Sequence, residues 1–240
     1  MLSGTRGIVL RAVKFRENSL ITTVYTKTYG RQTYMVNDTR GTRAQNKASV
    51  FQPLFIVDLE VYIKKEREVQ RVKESNLAVP YRSIPFDVIK SSQVIFLAEV
   101  LYKILQEEEN NESLFSFIEN ALVYFDLSDD KISCFHCWFL ARLTEYLGIL
   151  PDIRKTEKGW FDMQKGEIVF REPLHLSFMI PEITDLFKKM LEVSISELHS
   201  LPITGKQRNV LLKNLLEYYH HHFETLGSLQ TLSVLKEVFE

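Results

Sequence analysis

The sequence predicts an α+β protein. A small closed barrel of five strands occupies about residues 1–80, and a mainly α-helical domain with a small β-hairpin occupies about 81–240. Two patterns predict this. Five short segments of strand-forming composition fall within about 75 residues, and closing so short a sheet removes its exposed edges. Beyond Pro80 and Pro85 the apolar period changes from two to helical. A third observation separates the halves by charge. Residues 1–80 carry 14 Lys/Arg against 7 Asp/Glu, a net +7, while residues 81–240 carry 16 against 24, a net −8. Such asymmetry points to a basic binding module joined to an acidic one, because charge governs partners more than fold.

The first strand spans Arg6–Val13, with Ile8 and Leu10 on one face and Val9, Arg11 and Val13 on the other. The second, Ser19–Thr26, is rich in Ile, Thr, Val and Tyr, which suit a pleated surface. Lys27–Gly30 reads as a turn closed by glycine, and Arg31–Val36 as the third strand, ended by Asn37 and Asp38. Residues 40–49 form a basic loop around Gly41. Leu54–Ile63 alternates most cleanly: Phe55, Val57, Leu59 and Val61 against Ile56, Asp58, Glu60 and Tyr62. A weaker fifth strand lies near Glu68–Glu74.

In the second half, Val88–Leu105 places Ile89, Val94, Leu97, Leu101 and Leu105 near one helical face. Leu114–Phe125 follows with Ser113 as its cap, then Ile132–Leu147, stopped by Gly148 and Pro151. Residues 152–175 break the pattern. Strands around Trp160–Met163 and Glu167–Phe170, with a turn at Gln164–Gly166, read as a hairpin. Further helices are expected at Pro181–Leu191, Ser194–Leu201, Gln207–Phe223 and Leu232–Phe239.

Several chemistries lack their residues. There is no Walker-type phosphate loop and no G-x-S-x-G elbow, so no enzyme activity is expected. Cys134 and Cys137 sit in an apolar helical run with no second cysteine pair, which suits a helix core better than a zinc site. His220–His222 diverge around a helix and cannot share one metal. No cofactor or metal is expected. No apolar run is long enough to span a membrane, and two cysteines make no disulfide framework, so a reducing cytoplasm is the expected compartment.

The richest stretch is Arg6–Lys47, with nine Lys/Arg against two acidic residues, a net +7. Its opening, RGIVLRAVKFRENSLITTVYTKTYGRQ, is similar to the start of the bacterial RecO family. The basic RGTRAQNKASVFQPL and the later FLARLTEYLGILPDI resemble that family as well. The resemblance runs along the whole chain in order. It implies an OB-fold barrel, a helical domain, and a recombination mediator in DNA repair. Such proteins bind single- and double-stranded DNA and anneal complementary strands. With RecR they help load RecA on DNA coated by single-stranded DNA-binding protein. The resemblance places the protein in the cytoplasm at the nucleoid. Many members carry a four-cysteine zinc insertion after the Leu-Gly…Pro helix end. The equivalent Arg154–Pro173 here has no Cys and no His, so the hairpin is expected to stand without metal.

The candidate DNA-binding residues are therefore Arg6, Arg11, Lys14, Arg16, Tyr25, Lys27, Arg31, Tyr34, Arg40, Arg43 and Lys47. The cations would neutralise phosphates without reading sequence, and Tyr25, Tyr29 and Tyr34 would stack bases. The alternative for each ring is simple packing in the barrel core. The resemblance also implies contact with the acidic, apolar-ended C-terminal tail of single-stranded DNA-binding protein. Lys206, Arg208, Val210 and Leu211 on a late helix are the candidate site, against the alternative of an ordinary amphipathic helix. The rival to DNA binding is a protein-interaction adaptor whose basic barrel holds an acidic partner.

Overall fold

The computed structural model describes residues 1–37, 49–64, 66–106, 109–129, 132–153 and 158–239. Two compact units are present: Met1–Leu127 with Leu229–Val238, and Ser128–Ser228 with Phe239.

The first unit is built on a closed barrel of order β1-β2-β3-β5-β4, from β1 (Leu2–Phe15), β2 (Ser19–Thr26), β3 (Gly30–Asn37), β4 (Ile56–Tyr62) and β5 (Val69–Leu77). β1 is longer than the alternation predicts. It pairs β4 through Leu2–Ile8 and β2 through Gly7–Phe15, with a register shift between Val9 and Arg11. One strand serving two neighbours lets a short sheet close, and the shift breaks the period that marks a strand in sequence. Gly7 stands where the partners overlap; a Cβ there would lie 2.4 Å from Val24 Cγ1. β2 has the expected bounds, and Gly30, at φ +60°, closes the turn after it. β3 and β5 pair in parallel at Thr33–Met35, and every other pairing in the barrel is antiparallel.

Val9, Val24, Tyr34, Val36, Val57, Leu59 and Val61 fill the interior. Val57, Leu59 and Val61 are three of the four residues that the period-two reading of β4 assigned to one face. The buried Gln70 amide organises the β4–β5 connection, donating to the Lys64 and Arg67 carbonyls and accepting from Lys64 N.

Helices α1 (Val88–Ile104) and α2 (Glu112–Leu127) belong to this unit. Asp87 caps α1, accepting from Ile89 N and Lys90 N. Asn111, rather than Ser113, caps α2 by accepting from Leu114 N. The Asp126 carboxylate takes the Arg82, Ser83 and Ile84 amides and so fixes the connector after the barrel. The N-terminus of a late helix (Thr231–Phe239) is held by Glu99, which accepts from Gln230 N and Thr231 N.

In the second unit, α3 (Phe135–Leu143) is shorter than expected; Thr144 Oγ1 donates to Ala141 O just beyond it. Strands β6 (Trp160–Asp162) and β7 (Glu167–Val169) form the predicted hairpin, and Gly166, at φ +68°, stands in its turn. A third strand, β8 (Phe178–Met179), pairs with β6 and is too short to register as a period. α4 (Pro181–Glu192) begins on its proline. Ser194–Leu201 holds only a 3-10 turn, Leu198–Ser200. α5 (Gly205–His222) starts with a reciprocal cap between Thr204 and Gln207. The helix Thr231–Phe239 is α6 in chain order. Phe161, Phe187 and Tyr218 meet edge to face in the core, where Cys134, His136 and Cys137 are also buried.

Candidate nucleic-acid interface

Side chains alternate across each strand, so the neighbours of the interior residues define an outer face. Across β1, β2, β3, β5 and β4 one cross-strand row reads Val13, Ile21, Met35, Arg71 and Tyr62. Val13 is 47% exposed and Tyr62 45%; Ile21 and Met35 are half-buried and Arg71 exposed. One row along are Phe15, Ser19 and Asn37, with Ser19 Oγ donating to Asn37 Oδ1. The Arg16 guanidinium lies 5.3 Å from the Phe15 ring centre. On the other side are Arg11, Thr23, Thr33 and Val69.

The same face is closed at its far end. Tyr25 stacks on Phe115 of α2, with ring centres 6.3 Å apart. Arg31 donates from Nη1 to the Tyr102 and Leu105 carbonyls at the end of α1, both at 2.6 Å. Burial lowers the Arg31 pKa, and its Nη1 N–H groups are committed to those two carbonyls. The outer face thus has a covered half under α1 and α2 and an open half around Val13, Ile21 and Met35.

This division sorts the predicted residues. Arg6 pairs with Asp58 through Nε at 2.9 Å and with Glu119 through Nη1 at 3.1 Å. The hydrogen bond to Asp58 is the chief reason its pKa rises. Lys27 pairs with Glu112 at 2.9 Å. With Arg31, these cations fasten helices to the barrel. Arg11, Lys14 and Arg16 are exposed and form no ion pair with another described residue. Arg40, Arg43 and Lys47 lie outside the described residues.

Two of the three tyrosines expected to stack bases, Tyr25 and Tyr34, are buried rather than exposed platforms. Tyr34 is fully buried inside the barrel, where desolvation raises its pKa, and Tyr25 is buried beneath α2. Both strands need a large apolar side chain at these positions, and that need was indistinguishable in sequence from a binding ring. The residues missed by sequence reasoning are Ile21, Met35 and Arg71. Alternation would have placed the first two outward, but the level of Arg71 depends on the parallel β3–β5 register, which no local pattern carries.

On α5, Lys206 is exposed and Val210 is 37% exposed, but Arg208 and Leu211 are buried. Burial lowers the Arg208 pKa, and its Nε has no hydrogen-bond partner among the described residues. Arg208 and Leu211 therefore leave the candidate tail-binding set. The hairpin does not fit a zinc ion either. Phe161, Met163 and Ile168 are fully buried within it, and the two cysteines belong to the α3 region.

Comparison with known proteins bears on both the barrel and part of the helical region. The family model for "Recombination protein O N terminal" matches residues 1–81, and that for "Recombination protein O C terminal" matches 85–164. The DNA repair protein RecO of Flavobacterium psychrophilum is 38% identical over 98% of both chains. The chain belongs to the RecO family of DNA repair proteins. Two other relatives agree end to end: RecO of Phocaeicola vulgatus at 33% identity and of Bacteroides fragilis at 32%, each over the full length of both chains. The barrel is accordingly the RecO OB-fold, and its open outer face lies on β2 and β3, where OB-folds hold oligonucleotides. Among the described residues of this RecO chain, no helix is long and apolar enough to cross a membrane.

Proposed function

We propose that the chain is a non-enzymatic recombination mediator that binds DNA on the open half of its barrel. The observation that carries this reading is the row Val13–Ile21–Met35, edged by Arg11, Arg16 and Arg71. Apolar side chains at the centre offer packing to unstacked bases, and the edging guanidiniums take phosphates. Binding both single- and double-stranded DNA follows from contacts that read the backbone rather than base edges. Bringing two complementary strands to one surface anneals them without bond chemistry. The reading extends to RecA loading with RecR on DNA coated by single-stranded DNA-binding protein, in the cytoplasm at the nucleoid. Lys206 and Val210 remain available to that protein's acidic, apolar-ended tail.

Oligonucleotide binding measured against salt tests the reading. Affinity should fall log-linearly with salt, with a slope near −0.7 per phosphate contacted on a single strand. No binding at low salt would overturn it and favour the adaptor whose barrel holds an acidic protein.

A further inference from the structure

The open face continues into a cavity of about 330 Å³ in the barrel unit. Arg11, two residues from Val13 on β1, stands at their junction. The cavity is walled by Ala12 and Pro53 on the barrel side, by Ile95 and Tyr102 of α1, and by Thr231 at the start of α6. Its size is at the lower end of the roughly 300–1,000 Å³ typical of ligand pockets. That leaves room for a single nucleotide and excludes a duplex.

The charges point to an anion. The Glu99 carboxylate accepts from Gln230 N, Thr231 N and Thr231 Oγ1, and faces Lys103 at 3.7 Å. Its charge is thereby spent on the α6 N-terminus and on that lysine. Arg11 remains. Its guanidinium lies 5.0 Å from the Tyr102 ring centre, and Arg31 lies 4.7 Å from the same ring. Among the described residues the Arg11 side chain meets no carboxylate. A guanidinium held on an aromatic ring has lost part of its conformational freedom already and keeps its N–H fork for an oxyanion. Beside it Ile95, 41% exposed on a helix otherwise largely buried, offers an apolar wall.

We infer that this cavity receives one unpaired nucleotide of a DNA strand lying on the open face. Its phosphate meets Arg11 and its base packs against Ile95 and Pro53. The inference rests on the open-face reading above and adds to it a preference for single strands, since only an unpaired base can enter.

The test is Ile95→Trp, which puts a larger side chain into the cavity where the base would pack. Binding of a short oligothymidylate and of a blunt duplex of the same length would be compared by fluorescence anisotropy. Loss of one base contact should weaken oligothymidylate binding about 5- to 150-fold, the equivalent of about 1–3 kcal/mol. Duplex binding should stay within about twofold. A melting curve establishes folding. Should Ile95→Trp not fold, Ile95→Glu replaces it, setting a carboxylate beside Arg11, with the same expected split. Unchanged oligothymidylate binding, or equal loss for both ligands, overturns the inference. Arg71→Ala separates the two readings. If it weakens both ligands while Ile95→Trp alters neither, the cavity fails and the open face stands. If Arg71→Ala also alters neither, both fail together.

Discussion

The basic side chains of the barrel divide by what they touch. Arg31 is spent on two carbonyls at the end of α1, whereas Arg71 is exposed and forms no ion pair with another described residue. Removing each should have opposite consequences. Arg31→Ala leaves buried acceptors unmade and should cost about 1–3 kcal/mol of stability, read as a lower denaturation midpoint. Arg71→Ala should leave the midpoint within about 0.5 kcal/mol and weaken DNA binding. Tyr34 gives a third case. Its hydroxyl is buried in the barrel with no hydrogen-bond partner among the described residues. Tyr34→Phe relieves that cost and should raise stability by about 1 kcal/mol, with oligonucleotide affinity unchanged. A weaker affinity would restore Tyr34 to the binding set.

At the scale of elements, α3 carries a pH dependence. Complete burial holds the His136 imidazole at about 3, against an ordinary 6.5, so it is neutral in the folded protein. The unfolded chain gains a proton as pH falls through about 6.5 while the folded chain does not. Stability present above that pH is therefore lost as pH falls toward about 3, by up to about 1.4 kcal/mol per pH unit. His136→Gln should flatten the stability profile between about pH 6.5 and 5, above the range where most carboxylates titrate. An unchanged slope in denaturant melts would assign it elsewhere. The β6–β7–β8 sheet makes a different prediction. With an apolar core in place of thiol ligands, its melting should be indifferent to chelator, and elemental analysis should find no stoichiometric zinc.

The same elements show what the sequence could reveal. β2 was legible to the residue because strong strand formers end at a turn closed by glycine. β1 was cut short at both ends because Ser3 and Gly4 before the predicted span and Lys14 after it are weak strand formers, whereas its partner switch and bulge lie inside that span. α1 buries ten side chains, so its predicted single face was too narrow. The charge of the first eighty residues was legible, but not its employment. Arg6 and Lys27 find their partners Glu119 and Glu112 some 113 and 85 residues away, separations that no local pattern encodes.

Across the whole molecule, the excess of basic residues before Pro80 and of acidic residues after Tyr81 gives each half its own sign. A basic barrel attracts polyanions at long range, and an acidic second half disfavours their spreading beyond it. The central claim is that the open half of the outer face, edged by Arg11, Arg16 and Arg71, holds DNA, while Arg6, Lys27 and Arg31 hold helices. The most direct measurement is the salt dependence of oligonucleotide binding for Arg16→Ala/Arg71→Ala beside that for Lys27→Ala. The first variant should bind more weakly and lose about 0.7 of log-log slope for each phosphate contact removed, and the second should keep the parent slope. Parent-like slope in the first with a reduced slope in the second would contradict the account.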